Sequence, residues 1–539
     1  MSISTYVSAV DPNRTPQSEP LPGAATPQVQ NEAGGYGWAV DDWRRLARFL
    51  VLGSEGGTYY TGERKLTQES AAAVRRCLAA DGPRVVREVV AVSEAGRAPK
   101  QDPALFILAL ALTSADAVTR QAAAAAVPRV CRIGTHLFAL VSALDTLGGW
   151  GPAKRKAIGR WYTERDPAAL AYQLIKYQNR EGWSHRDVLR MAHPKPPEGA
   201  LGVLLHYAAK GWPDVGEAPH PDAALRQVGA FERAKRATTA AEGAQLVRDY
   251  DLPRECVPSV GLNDREVWAA LLEKMPLHAT VRNLAKMTAV GLLAPLSDAA
   301  ALICRRLADA DYLRRSRMHP LALLVALKTY AQGHGERGKL TWTPVPAIVD
   351  ALDAAFYDAF GNVAPTGKRW LVGVDWSESM GSPSIAGMAG ITPAMGATAL
   401  AMLTASVEPQ HHILAFATTC KPVTLSPRQR LDDALWTCCL QTGEGTDCSV
   451  PIRFALQQNV PVDVFAVLTD NQTWAGAIHP AQALKLYRQR TGIDARMVVV
   501  GMAGSGTSIA DPDDAGMLDV VGLDTATPGL MAEFAVGTV

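Results

Sequence analysis

About two-thirds of the way along the 539-residue chain, an apolar run ends abruptly in an acid and two hydroxyls: Leu371-Val372-Gly373-Val374-Asp375-Trp376-Ser377-Glu378-Ser379-Met380-Gly381. A short apolar run bounded by turn signals reads as a buried strand. In open α/β sheets, ligands bind where such strands end at their C-termini. Asp375, Ser377 and Ser379 would therefore share one turn at a ligand-binding edge. Several neutral oxygens with few charges suit a hard cation such as Mg²⁺, with positions left open for water or a ligand. Thr446 follows in the glycine-rich stretch Gly443-Glu444-Gly445-Thr446-Asp447, and Asp470 closes a second apolar run that begins at Val462. Helix capping alone would explain Asp375 and Ser377, but not the matching Asp470.

The rest of the chain is read outward from that stretch. Its length calls for two or three domains. Apolar strands near 371–375, 412–416, 462–468 and 496–500 alternate with helical stretches near 396–406, 451–458 and 480–490. That alternation predicts a parallel sheet covered by helices on both faces. From Trp38 to about Phe360 the pattern is helical, with start signals at Asp102-Pro103, Asp166-Pro167, Ser184 with Asp187, and Ser297-Asp298. Helices of similar length joined by short loops suggest stacked pairs, as in solenoids. Residues 1–35, rich in Pro, Ser, Gln and Gly, predict a disordered tail. The expected division is a tail at 1–35, a helical domain at 36–365 and an α/β domain at 366–539.

The net charge of +1 conceals an asymmetry. From Leu371 onward there are 8 Lys+Arg against 16 Asp+Glu, leaving 46 against 37 in the remainder. A basic first part hints at an anionic partner. The eight cysteines form no C-x-x-C pair, which favours reduced thiols and a cytoplasmic protein. No stretch approaches the roughly 20 apolar residues of a membrane span, and the N-terminus lacks a signal pattern.

Basic residues concentrate between Lys154 and Lys195, where ten oppose four acids. A helix over residues 167–180 would put Lys176 and Arg180, four apart, on one polar side, with Gly182 at its end. A second helix starting at Ser184 would carry Arg186 and Arg190 and stop at His193 before Pro194. Such rows suit phosphates, and Arg also stacks on exposed bases. The same rows would equally serve as solvated faces of ordinary helices.

The wording of the sequence then narrows the choice. Asp-x-Ser-x-Ser with a loop Thr and a strand-end Asp resembles the metal-ion-dependent adhesion site (MIDAS) of von Willebrand factor A domains. The stretch Lys176-Tyr177-Gln178-Asn179-Arg180-Glu181-Gly182-Trp183-Ser184-His185-Arg186-Asp187-Val188-Leu189-Arg190 resembles the signature of the Ro 60 kDa autoantigen family, TROVE-domain RNA-binding proteins, in a bacterial-type form. Gly53-Ser54-Glu55-Gly56-Gly57-Thr58-Tyr59-Tyr60, Lys274-Met275-Pro276 and Thr469-Asp470-Asn471 are similar to it as well. The resemblance implies a ring of HEAT-like α-helical repeats closed by a von Willebrand factor A domain of doubly wound, Rossmann-like type.

It implies small non-coding Y RNAs on the outer face, misfolded RNAs whose single-stranded 3′ ends enter the hole, and a role in RNA quality control or processing. An exoribonuclease is a further candidate partner; a membrane is not. By resemblance Lys176, Arg180 and His193 carry RNA binding, joined by Arg186 and Arg190 from spacing. One divalent cation would take Ser377, Ser379 and Thr446 directly, with Asp375 and Asp470 direct or through water. Trp376 and Glu378 depart from the small residues usual in the motif. Two other readings compete: a metal-dependent phosphotransferase or nuclease, which lacks an Asp-x-Asp pair and a P-loop, and a metal-dependent interaction scaffold.

Overall fold

The computed structural model describes residues 14–54, 63–212, 221–257, 261–335, 339–359, 364–381, 385, 390–426, 429–438, 445–524 and 526–538. Its contacts divide the chain into two units. One joins residues 1–73 to residues 356–539, with 319–321; the other holds residues 74–318 and 322–355. In chain order the strands are β1 (Gln28–Gln30), β2 (Tyr36–Ala39), β3 (Asn179–Arg180), β4 (Trp183–Ser184), β5 (Trp370–Asp375), β6 (His411–Phe416), β7 (Cys420–Val423), β8 (Val464–Thr469), β9 (Arg496–Gly501), β10 (Thr507–Ser508) and β11 (Met517–Val521).

Six of these form the main sheet, in the order β11-β9-β8-β5-β6-β7. All pairings are parallel except β6 with β7. Every residue of β5 and β8 is buried, as an apolar run covered on both faces requires. At Gly373 the β5 backbone is approached so closely that a Cβ would lie 2.6 Å from Pro451 and 3.1 Å from the Phe416 ring. The chain leaves β5 for β6 on one side and returns to β8 on the other. The crevice at such a reversal lies beyond the C-terminal strand ends, where Asp375 and Asp470 stand.

The expected disordered tail is not found over residues 14–35. Strands β1 and β2 pair with each other and, through β2, with β10, making a small antiparallel sheet. Gln17 is completely buried, and Trp38, placed in a helix by its surroundings in sequence, is instead a buried β2 residue whose indole donates to the Thr26 carbonyl. The polar composition of this segment hid its role, because it is held by backbone pairing and side-chain amides rather than by apolar burial. The helix Asp42–Leu52 follows and sends Arg48 into the unit, where its guanidinium meets Asp519 at 2.7 Å and the Ser505 and Thr507 carbonyls. The N-terminal residues up to Ala73 therefore belong with the α/β unit rather than with the helical one.

In the helical unit helices pack both on adjacent helices and on helices two along the chain. Asp102–Leu112 touches both Ala117–Val130 and Gly134–Leu147, and Pro152–Thr163 bridges to His185–Ala192. This is the arrangement of stacked helical pairs. Starts are set by capping: Asp166 accepts from the Ala168 and Ala169 amides ahead of Pro167, and Ser184 with Asp187 forms a reciprocal capping box. Asp102 lies inside its helix, with Gln101 at the cap. Cys77, Cys131, Cys256, Cys438 and Cys448 are buried. Among the described residues no helix is long and apolar enough to cross a membrane.

At the core of this unit His185 sits among Phe138, Trp161 and Tyr162, its Nδ1 2.9 Å from the Tyr162 hydroxyl and its Nε2 without a partner. Burial pushes the imidazole down to about 4 from an ordinary 6.5. Between those values the unfolded chain binds the proton and the native one does not, so stability falls as pH drops through this window. The shift corresponds to a loss on the order of 3 kcal/mol by pH 4. The urea midpoint of the helical signal should decline from pH 6.5 downward. His185→Gln should make the decline shallower by its own share, with His136, which burial also pushes down to about 4, still contributing. An unchanged pH profile in that variant would refute the assignment.

Candidate functional site

Asp375 ends β5 and is fully buried. Its Oδ1 accepts from the Ser377 amide at 2.9 Å and its Oδ2 from the Thr469 hydroxyl at 2.5 Å. The turn that follows brings the Ser377 and Ser379 hydroxyls to 3.2 Å from each other. Asp470, next after β8, accepts from the Gln472 amide at 3.1 Å and is also touched by the Ser379 hydroxyl. Two carboxylates thus share a buried site with two serine hydroxyls. Burial, and then the negative charge of Asp375, push Asp470 up to about 7. Burial likewise raises Asp375, against the hydrogen bonds from Ser377 and Thr469. Among the described residues neither acid has a cationic partner within ion-pair distance.

Thr446 is buried, in a loop laid against the same strand ends. The Trp474 and Ala475 amides donate to its carbonyl at 3.0 and 3.1 Å, and the Asp447 amide donates to Ala417. Gly445 has φ +88°, a conformation glycine takes at no steric cost, and Trp474 stands close over it. Gly443 and Glu444 lie outside the described residues. Beside Asp470, both side-chain amide atoms of Asn471 and the Oε1 of Gln472 are buried without hydrogen bonds. Buried polar groups of that kind call for a partner. Two acids with no counter-ion, hydroxyls on the same turn and unpaired amide groups alongside fit a hard divalent cation. Among the described residues no three His, Cys, Asp or Glu side chains converge, so such a cation would depend on hydroxyls as much as on carboxylates. Glu378 is exposed and Trp376 half-buried.

The basic segment differs from the helix drawn from its spacing. The helix Pro167–Lys176 ends at Lys176, with Tyr177 at φ −112°. Asn179–Arg180 then pairs with Trp183–Ser184 as a hairpin. Glu181 and Gly182, at φ +54° and +77°, make its two-residue turn, the geometry that matches the twist of paired strands. Lys176 and Arg180 therefore do not share a helix face, and Gly182 is a hairpin residue rather than a helix end. The Tyr177 side chain lies so close to Gly134 that a Cβ there would be 2.8 Å from it.

Lys176 is half-buried; its ammonium donates to the Tyr172 hydroxyl at 3.0 Å and lies over the Tyr172 and Tyr177 rings. Arg180 is exposed on the hairpin, 3.5 Å from Glu181. Arg186 and Arg190 are exposed on the helix His185–Ala192, and His193 caps its end in the left-handed conformation, also exposed. Other basic residues of the segment have structural tasks. Lys154 holds the Gly148 and Gly149 carbonyls, and Arg165 covers Trp161 while binding the Cys131 carbonyl.

These two constellations match known proteins. Residues 369–535 match the Ro60 vWA domain, and residues 29–218 with 249–329 match the TROVE domain. The RNA-binding protein RO60 of Deinococcus radiodurans is 41% identical over the whole of both chains. The chain belongs to the Ro60 family. The RNA-binding protein RO60 of Caenorhabditis elegans is 35% identical, over 95% of this chain and 90% of its own. The crystal structure of the Deinococcus radiodurans RO (RSR) protein superimposes with a TM-score of 0.71, covering 93% of this chain and all of that one.

Within this Ro60-family chain, sequence reasoning missed three contributors to the sites. Thr469 orients Asp375; the stretch Thr469-Asp470-Asn471 carries part of the family resemblance, but nothing in it marks Thr469 as a partner of Asp375. The hairpin's one local signal was Gly182, a residue that takes positive φ without strain and so suits a tight turn. Gln17, 430 positions before Asp447, hydrogen-bonds the loop of Thr446 and carries no sequence signal.

Proposed function

We propose that this Ro60-family chain is a non-catalytic RNA-binding protein that takes structured Y-type RNAs and misfolded or 3′-tailed non-coding RNAs, in RNA quality control or processing. The carrying observation is full-length similarity to relatives named as RNA-binding proteins. The exposed cations of the hairpin and the following helix support it, since Arg180, Arg186, Arg190 and His193 offer phosphate and base contacts on adjacent elements. Lys176 would contribute from its tyrosine seat. An exoribonuclease as partner and a cytoplasmic setting belong to the same reading. The test is recovery of RNA with the purified protein and its sequencing, followed by filter binding at several salt concentrations. Small structured RNAs bound with a steep salt dependence are expected; a protein free of RNA with no affinity for such RNAs refutes the proposal.

The MIDAS-like site is assigned one divalent cation, Mg²⁺ by the hardness of its donors. Ser377, Ser379 and Thr446 would hold it directly, with Asp375 and Asp470 direct or through water. A cation there supplies an open coordination position for an acidic group of a partner. The second reading, a metal-dependent interaction scaffold, coexists with the first on this observation. Ser377→Ala combined with Thr446→Ala should abolish stoichiometric Mg²⁺ binding in calorimetric titration while the helical circular dichroism stays unchanged. Wild-type affinity in the double variant would end the assignment.

A further inference from the structure

The most completely hydrogen-bonded side chain at the edge of the cation site comes from the other end of the sequence. Gln17 is fully buried. Its Nε2 donates to Asp447 Oδ1 at 2.7 Å and to the Ile478 carbonyl at 2.8 Å. Its Oε1 accepts from the Thr473 hydroxyl at 2.5 Å and the Gly476 amide at 3.3 Å. Its backbone amide donates to the Gly476 carbonyl, and its carbonyl accepts from the Tyr36 amide. A side-chain amide offers two donors and two acceptor positions, and every one of them is used.

The partners of Gln17 are the two loops that flank the site. Asp447 follows Thr446, and its Oδ1 also accepts from the Ser449 amide and hydroxyl. Thr473 lies three residues after Asp470; its hydroxyl accepts from the Cys448 amide at 3.0 Å and sits 3.3 Å from the Thr446 carbonyl. The same N-terminal segment takes a second hold nearby. Asn31 donates to the Thr473 carbonyl at 2.8 Å, and Gly35 passes so close to that carbonyl that a Cβ would overlap it. Gly476 is equally confined, since a Cβ there would overlap Gln17 and Asp447.

We propose that residues 15–36 are an integral part of the cation site, with Gln17 the positioning residue that fixes Thr446 against the acids at the ends of β5 and β8. This rests on the cation reading given above. Without Gln17, Asp447 and Thr473 lose their shared partner. Asp447 keeps Ser449 and Arg453, and the Thr446 carbonyl keeps the Trp474 and Ala475 amides. The loop therefore stays folded but loses the tie between its two halves that sets the Thr446 hydroxyl. Partners that orient metal ligands from outside commonly change affinity by about 10- to 100-fold when removed.

The test is calorimetric titration of the full-length protein with Mg²⁺ alone. Gln17→Ala and the near-isosteric Gln17→Met should each bind Mg²⁺ about 10- to 100-fold more weakly than wild type. Amide exchange across residues 446–449 and 473–476 should rise in both. Arg48→Ala serves as the control, because it loosens the Asp42–Leu52 helix, whose partners here are Asp519, Ser505 and Thr507 rather than residues 15–36 or the Thr446 loop. It should lower stability and leave Mg²⁺ affinity unchanged. If either folded Gln17 variant binds Mg²⁺ as wild type does, the positioning role is overturned while the cation site stands. If wild type takes up no Mg²⁺, or Thr446→Ala binds as well as wild type, the cation reading itself fails and this inference falls with it.

Discussion

Replacing Arg48 with Leu will destabilise the α/β unit by about 3–5 kcal/mol, the usual cost of breaking one side of a buried ion pair. Arg48 and Asp519 are almost fully buried, their side chains 3% and 2% exposed. The guanidinium donates twice to the carboxylate, at 2.7 and 2.8 Å, and to the Ser505 and Thr507 carbonyls. Its loss leaves the Asp519 charge with the Ser508 hydroxyl, at 2.6 Å, as its remaining side-chain donor. It also takes a donor from the Ser505 carbonyl and leaves the Thr507 carbonyl with the Ser505 hydroxyl at 2.9 Å. A loss of this size is a large part of the roughly 5–15 kcal/mol that holds a domain folded. The companion variant Arg48→Leu with Asp519→Leu should recover much of the loss, because an apolar pair carries no desolvation penalty. Urea unfolding followed by tryptophan fluorescence will measure both. A single variant within about 1 kcal/mol of wild type would mean that the pair behaves as a surface contact and that the Asp42–Leu52 helix is not anchored there.

Removing the exposed arginines will separate two modes of RNA binding. In Arg180→Ala, Arg186→Ala and Arg190→Ala combined, affinity for a structured Y-type RNA should fall steeply. The salt slope should shrink by roughly one for each phosphate that is no longer neutralised. These residues occupy adjacent elements, the hairpin and the helix that its Ser184 caps, so they offer one surface to a folded RNA. An RNA whose binding depends on a single-stranded 3′ tail should lose less, and trimming that tail should reverse the ranking. Lys176→Ala needs separate treatment, because its ammonium is already engaged by two tyrosine rings. It should weaken the structured RNA by less than the arginine triple. Filter binding of both RNAs to each protein at several salt concentrations decides the matter. Equal losses for both RNAs would leave one general electrostatic surface and remove the two-mode reading.

Much of this was determined by the sequence alone, wherever the determining interactions are local. The apolar run 371–374 fixes a buried strand, and the Asp-x-Ser-x-Ser that follows fixes a turn whose oxygens face one place. Asp166-Pro167 and Ser184 with Asp187 start helices by hydrogen bonds within three residues, and the structure has both. Family membership was legible for the same reason, since the signature from Lys176 to Arg190 is contiguous.

Tertiary structure decided the rest, wherever partners are far apart or neighbours override a local preference. Spacing put Lys176 and Arg180 on one helix, but pairing of Asn179–Arg180 with Trp183–Ser184 through the Glu181-Gly182 turn divides them between a helix end and a hairpin. The polar composition of residues 14–35 reads as disorder because their partners are strand β2 and loops at 446–449 and 473–478. Arg48 looks like any charged residue on an amphipathic helix until Asp519, 471 positions later, gives it a reason to be buried. Composition and periodicity report what a segment can bury by itself. They are silent on a hydrogen bond whose other half lies hundreds of residues away, and Gln17, Asn31 and Arg48 all depend on bonds of that kind.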